Sequence, residues 1–315
     1  MTELSGQAMP VYGVIEPRKR RTWMRSKLKR IDRSFQRQAY TYFFGTLLFC
    51  LTAALLVSSP LVSADSMTDV KERGTLRVGV TQAPPWYSKD LSSGEWASGL
   101  GVFMGRAMAD SIGVEFEPVE VTWGTAIAAL QSGKIDLMYM LDATDERKKA
   151  VSFPESPLLY YSLAVLARDD LDVSAWEDLN NSEIKIALPQ ASSMDKFVSE
   201  LSPNADIQRF PGNQESIAAF QAGRVDAVSL FHPPLLAARA KLGRGQIVVP
   251  TPTLSRPSSV AVRTEDSSDF VDWVDASIAA FYNDGQTQKW YEESLAEFGL
   301  DGSTAPPVMK EMLEQ

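Results

Sequence analysis

Residues 126–136 read Ala-Ile-Ala-Ala-Leu-Gln-Ser-Gly-Lys-Ile-Asp, and residues 216–226 read Ser-Ile-Ala-Ala-Phe-Gln-Ala-Gly-Arg-Val-Asp, a closely matching string at an offset of 90. Each copy predicts a short helix, a Gly free to take the left-handed conformation that ends it, and a strand that begins at once. Chance likeness of two ordinary helix-to-strand turns is the alternative. The apolar, Gln, Gly, basic, apolar and Asp positions match in order, however, so two similar lobes, each built on this unit, account for the pattern better.

The rest of the chain fits that plan. Short runs rich in Val, Ile and Leu at 75–81, 114–121, 134–141, 163–168, 183–189, 224–231, 246–250 and 259–263 read as strands. Helical spacing at 100–112 and 125–131 separates several of them, which predicts an α/β class with mainly parallel sheets flanked by helices. With 315 residues, 44% of them hydrophobic and 10% aromatic, the chain can bury a sizeable core as two compact units. From Ser267 onward, Phe270, Val274, Ile278 and Phe281 have helical spacing up to Asn283-Asp284-Gly285. A second helix is expected over 287–298, with Trp290, Tyr291 and Leu295 on its apolar face, and both helices are expected to cap the first lobe.

Charge divides the chain unevenly. Residues 1–64 hold ten Lys and Arg against Glu3, Glu16 and Asp32, a net +7, so the whole-chain value of −9 leaves −16 for residues 65–315. Such an acidic body argues against nucleic acid as its partner. The basic leader runs into an uncharged apolar stretch, 43–62, and Val62-Ser63-Ala64 places small residues where a signal peptidase cuts. Export with cleavage after 64 is the expectation, and an uncleaved membrane anchor is the alternative. Met24 is a second candidate start for the leader.

The one cysteine, Cys50, lies inside the apolar stretch, so the exported part has no disulfide, thiol nucleophile or Cys-based metal site. A single histidine, His232, argues against His-rich metal sites and against a Ser/His/Asp hydrolase. No cofactor is expected.

In order along the chain, Gly74-Thr-Leu-Arg-Val-Gly-Val80, Ala83-Pro-Pro-Trp86, Leu130-Gln-Ser-Gly-Lys-Ile-Asp136, Thr144-Asp-Glu-Arg147, Val151-Ser-Phe-Pro154 and Phe220-Gln-Ala-Gly-Arg-Val-Asp226 occur at a spacing that resembles the bacterial extracellular solute-binding proteins of family 3. These are the polar amino-acid receptors of ABC importers, and the resemblance covers the chain beyond the leader. It implies the two-lobed type II fold of periplasmic binding proteins, with residues 65–167 and 257–315 in lobe 1 and residues 168–256, including the crossings, in lobe 2. It also implies a periplasmic monomer that closes over a small carboxylate ligand and delivers it to an inner-membrane permease.

In that family the Arg of the Thr-x-x-Arg segment grips the ligand carboxylate. Arg147 holds this position, and a guanidinium fork matches a carboxylate and keeps its charge; a solvated Arg beside Lys148 and Lys149 is the alternative. The opposite half of the clamp falls on Ser192 and Ser193, which open a helix over 194–201, or which serve only as its N-cap.

Other positions depart from the family pattern. The Asp that holds a ligand's ammonium group in relatives is here Phe231, which either removes the amino anchor or is a packing substitution. Asp142, where relatives often have Ser, is a candidate for a cationic group, or pairs internally with Arg147. Met140 makes the floor more apolar. Trp123 and Trp86 offer aromatic faces suited to a ring or a quaternary amine, with a core role as the alternative for Trp86. His232 reads as structural.

Three function classes follow: a transport receptor, a dehydratase-like enzyme on the same scaffold with Asp142 as its acid or base, and a sensory accessory module. The receptor is the leading expectation, with no catalysis.

Overall fold

The computed structural model describes residues 65–313 except Leu91. The leader, its export signal, Met24 and Cys50 lie outside the described residues. Asp65 caps helix α1 (Ser66–Arg73) by accepting from Thr68 N, and left-handed Gly74 turns the chain directly into β1 (Thr75–Val80). A short hairpin of β2 (Ser88–Lys89) and β3 (Trp96–Ser98) leads to α2 (Leu100–Ser111) and β4 (Glu115–Glu120). Then come α3 (Ala126–Gln131) and β5 (Leu137–Tyr139). Both β4 and β5 run parallel to β1, while β12 (Val260–Val262) returns antiparallel against β5 to complete a sheet of order β12-β5-β1-β4. Glu115, Glu117 and Glu120 on the edge strand β4 place charge where the sheet would otherwise invite another strand.

The second sheet begins with the long β6 (Leu159–Ala167), followed by β7 (Lys185–Pro189) and α4 (Ser193–Leu201). Next come β8 (Asp206–Phe210), α5 (Asn213–Gln221), β9 (Ala227–Phe231), α6 (His232–Leu242) and β10 (Gln246–Val248). Its order is β10-β6-β9-β7-β8; β7 is parallel to β8 and β9, and β6 is antiparallel to β9 and β10. The antiparallel pairs arise because β6 enters this sheet from the first one, against the direction of the strands that the repeat builds.

A boundary at residue 167 puts β6 in the first lobe. The structure corrects that: residues 159–162 pair with β11 (Ser255–Ser258), and residues 163–167 pair with β9 and β10, so the strand's later half belongs to the second sheet and the first crossing runs along its earlier half. Pairing continues through Ser258, one residue past the start of the expected return segment at 257. The terminal helices α7 (Asp269–Asn283) and α8 (Gln286–Ala296) pack on α1 and α2 of the first lobe, with Phe270, Val274, Ile278, Tyr291 and Leu295 buried. A last short helix, α9 (Lys310–Leu313), ends the described chain.

Both copies of the repeat fold alike. Gly133 and Gly223 have φ of 65° and 68°. Lys134 N donates to Ala129 O (2.8 Å) and Arg224 N to Ala219 O (3.0 Å), the long bond that closes a helix C-terminus. The closing Asp then ties in the next strand over. Asp136 N donates to Arg77 O (2.8 Å) while its Oδ2 accepts from Arg77 N (2.7 Å); Asp226 N donates to Lys185 O (2.9 Å) while its Oδ2 accepts from Lys185 N (2.8 Å).

The two ties differ in burial. Asp136 is 4% exposed and pairs with both Arg73 and Arg77, whereas Asp226 is 21% exposed and pairs with Arg168. Asp136→Ala should therefore cost about 3 kcal/mol and Asp226→Ala about 1 kcal/mol. Chemical denaturation of the two variants measures this, and equal losses would show that burial does not rank the ties.

Candidate functional site

The site is built from loops that leave the C-terminal ends of the strands, where open α/β sheets place their crevices. From the first lobe come Trp86 after β1, Trp123 after β4, and Met140, Asp142 and Arg147 after β5. From the second come Ser192 and Ser193 after β7, Asn213 after β8, and Phe231 at the end of β9. Among the described residues two non-glycine residues stand at positive φ, Met140 and Ala191, each at 56°, and each lies just beyond a strand end at the cleft. Held backbone of this kind collects where a site aims its side chains.

One cavity between the lobes is lined by Trp86, Trp123, Met140, Arg147, Ser192, Ser193 and Phe231 together with Tyr161, Met194, Asn213 and Pro234. All seven of the first group were singled out from the sequence. The cavity measures about 20 Å³, roughly the space of one water, so a ligand of amino-acid size enters only if the lobes part. Several contacts hold them together. Trp123 Nε1 donates to Asn213 Oδ1 (3.0 Å), and Lys196 Nζ lies 3.5 Å from Glu146 at the rim. Gly124 faces the other lobe so closely that a Cβ there would lie 3.2 Å from the Ala191 Cβ.

Arg147 sits in a single 3₁₀ turn opened by Thr144, whose Oγ1 accepts from Arg147 N (3.3 Å). Its Nη1 donates to the backbone carbonyl of Asp142 (3.2 Å), and among the described residues it makes no ion pair with any carboxylate. Internal pairing of Asp142 with Arg147 thus takes the form of a backbone contact, and it leaves most of the guanidinium fork uncommitted. Burial pulls the Arg147 pKa down, opposed first by the Asp142 charge.

Across the cavity, Ser192 is the N-cap of α4. Its Oγ accepts from Asp195 N (3.1 Å) and donates to Pro189 O (2.7 Å), so this hydroxyl is spent on the helix. What lines the cleft is Ser193, whose hydroxyl is directed at Asp142, and the helix start itself, where the N–H groups of Ser193 and Met194 have no partner within the helix and carry its positive dipole end.

Asp142 is buried behind the lining. The Tyr161 hydroxyl donates to its Oδ1 (2.5 Å) and is also bonded to Ser258 Oγ (2.9 Å), while Asp142 Oδ2 has no hydrogen-bond partner. Desolvation raises its carboxyl above the usual range, opposed by the Ser193 and Tyr161 hydroxyls and by the charges of Arg147 and Arg256. Tyr161 lies between rings: its centroid is 3.8 Å from that of Phe231 and 6.1 Å from that of Trp86. His232 lines a different cavity, with Tyr160, Pro306 and Val308; its Nδ1 is buried without a partner and burial lowers its pKa.

Tyr161, Met194, Asn213 and Pro234 escaped the sequence reading. For Asn213 a signal existed: it is the 90-residue counterpart of Trp123, the residue it bonds, three positions ahead of the repeat. Tyr161 gave none, since it precedes the run expected to be a strand.

Fold and site together define a protein of the two-lobed solute-binding class. The model of the bacterial extracellular solute-binding proteins, family 3, matches residues 76–297, and the chain belongs to this family. The L-cystine-binding protein TcyJ of Escherichia coli K12 is 24% identical over 254 residues, which span 78% of this chain and 93% of TcyJ. The general L-amino acid-binding periplasmic protein AapJ of Rhizobium johnstonii is 26% identical over 76% of this chain and 74% of its own. Among solved structures, the ancestral amino acid-binding protein AncCDT-1, described as a precursor of cyclohexadienyl dehydratase, matches with a TM-score of 0.66 and 30% identity, over 73% of this chain and 99% of that one. An amino acid ABC transporter substrate-binding protein of Streptococcus pneumoniae, bound to L-arginine, matches with a TM-score of 0.68 and 25% identity, over 73% and 98%.

Two outcomes test this geometry. In a double-mutant cycle of Trp123→Phe and Asn213→Ala, thermal denaturation should return a coupling of about 1 kcal/mol, the worth of one buried hydrogen bond; zero coupling would mean that the bond does not hold the lobes. The second concerns Asp142. Its folded pKa lies above the unfolded value near 3.8. The associated stability is therefore full below that value and is lost as pH rises through the folded one. Asp142→Asn stays neutral throughout, so as pH rises above about 4 the wild type should lose stability relative to the variant. A difference in Tm that stays constant as pH rises would contradict the raised pKa.

Proposed function

We propose that this protein is the periplasmic receptor of an ABC importer, a monomer that takes a small carboxylate ligand of the amino-acid type between two closing lobes and presents the closed form to an inner-membrane permease. The observation that carries this reading is the opposition, in one cavity, of an uncommitted guanidinium on the first lobe and a helix start on the second. A carboxylate placed there meets a charged fork on one side and N–H groups with a positive dipole end on the other. Neither lobe alone encloses it, so capture and closure are one event.

Closure fits the architecture. Strands β6 and β11 run side by side between the lobes, paired from Leu159–Ser258 to Ser162–Ser255, and we assign the hinge to the ends of this ribbon. Family membership and the binding roles in the names of TcyJ and AapJ support a transport role, and the basic, apolar leader supports export. In this reading Asp142, held by Tyr161 behind the lining, shapes the site and does no acid–base chemistry.

A ligand that binds only the folded protein raises its Tm. A thermal-shift screen over amino acids and small carboxylates should find such ligands for the wild type, and Arg147→Ala should abolish the shift. Arg147→Lys should recover part of it, since a point charge replaces only some of a bidentate contact. Full ligand affinity in Arg147→Ala would remove the guanidinium from this role and the reading with it.

A further inference from the structure

Resting on the receptor reading above, the question left open is what the site asks of the rest of the ligand. A primary ammonium brings three N–H donors, each of which needs an acceptor when water is excluded. The wall beside the clamp is poor in them. Trp86, Met140, Met194, Phe231 and Pro234 contribute apolar surface, the Ser192 hydroxyl is committed to its helix, the Ser193 hydroxyl is directed at Asp142, and the Asn213 oxygen already accepts from Trp123. Asp142 is the one acidic group behind the wall, and it is shielded: Tyr161 covers one oxygen and the other is fully buried with no partner.

What the wall does present is aromatic rings. Trp86, Tyr161 and Phe231 form a continuous aromatic run, with centroids 6.1 Å and 3.8 Å apart, and Trp123 lines the same cavity. Aromatic faces attract a cation through their quadrupoles and need no hydrogen from it. An anion site beside an aromatic cation site with few acceptors matches one kind of ligand. We infer that the protein selects carboxylates whose cationic group is a fully methylated ammonium, the betaine class, over the corresponding primary or secondary amines. Phe231 is then a specificity-determining residue, because its ring closes the wall against an N–H donor.

The test pairs each amine with its methylated form: glycine with N,N,N-trimethylglycine, and proline with N,N-dimethylproline, titrated calorimetrically into the exported protein. The methylated member of each pair should bind at least tenfold more tightly, and Phe231→Asp should shift the preference toward the unmethylated member. Should Phe231→Asp fail to fold, the wild-type pairs decide alone. Equal or tighter binding of the unmethylated members, or binding only of other carboxylates, overturns the inference and leaves the receptor reading standing. Silence toward both series and toward the wider carboxylate screen overturns both.

Discussion

Two strands lying side by side set the terms for the rest of this molecule. The β6–β11 ribbon carries the chain from one sheet to the other and back. With connections fixed there, the parallel strands of both sheets end toward a common crevice, and the loops following β1, β4 and β5 meet those following β7, β8 and β9. The site residues are far apart in sequence, from Trp86 to Phe231, yet each stands within a few residues of a strand end. Their convergence comes from topology and needs no local sequence signal.

The same crevice brings together two groups that burial treats in opposite ways. Desolvation lowers the Arg147 pKa and raises that of Asp142, so each loses by being charged alone in the cleft. Direct pairing would relieve both and close the site to ligand. Instead Arg147 leans on the carbonyl of Asp142, and the carboxylate takes its bond from Tyr161. The guanidinium keeps donors free, which is the condition for gripping an anion.

How much of this could be read from the sequence depended on how local each signal was. The repeat was legible because it packs a helix, a left-handed Gly and a strand-tying Asp into eleven residues, and each part has its own chemistry. Arg147, Ser192, Ser193, Trp123 and Phe231 were legible through motif position. The lobe assignment of β6 was not, since a buried strand looks the same whichever sheet receives it. Tyr161 was hidden for the same reason: its value lies in reaching Phe231 on the neighbouring strand and Asp142 and Trp86 on the first lobe, contacts that only the folded chain brings together.

The repeat also explains why one bond crosses the cleft where it does. Trp123 and Asn213 both stand three residues ahead of the repeated string, so when two like lobes face each other these positions come together. One half supplies an indole donor and the other an amide acceptor. The residues lining the cavity differ more between the halves, with a guanidinium on the first lobe and a capped helix start on the second. Similar halves thus supply the approach, and their differences supply both the contact that holds them shut and the polarity that orients what lies between.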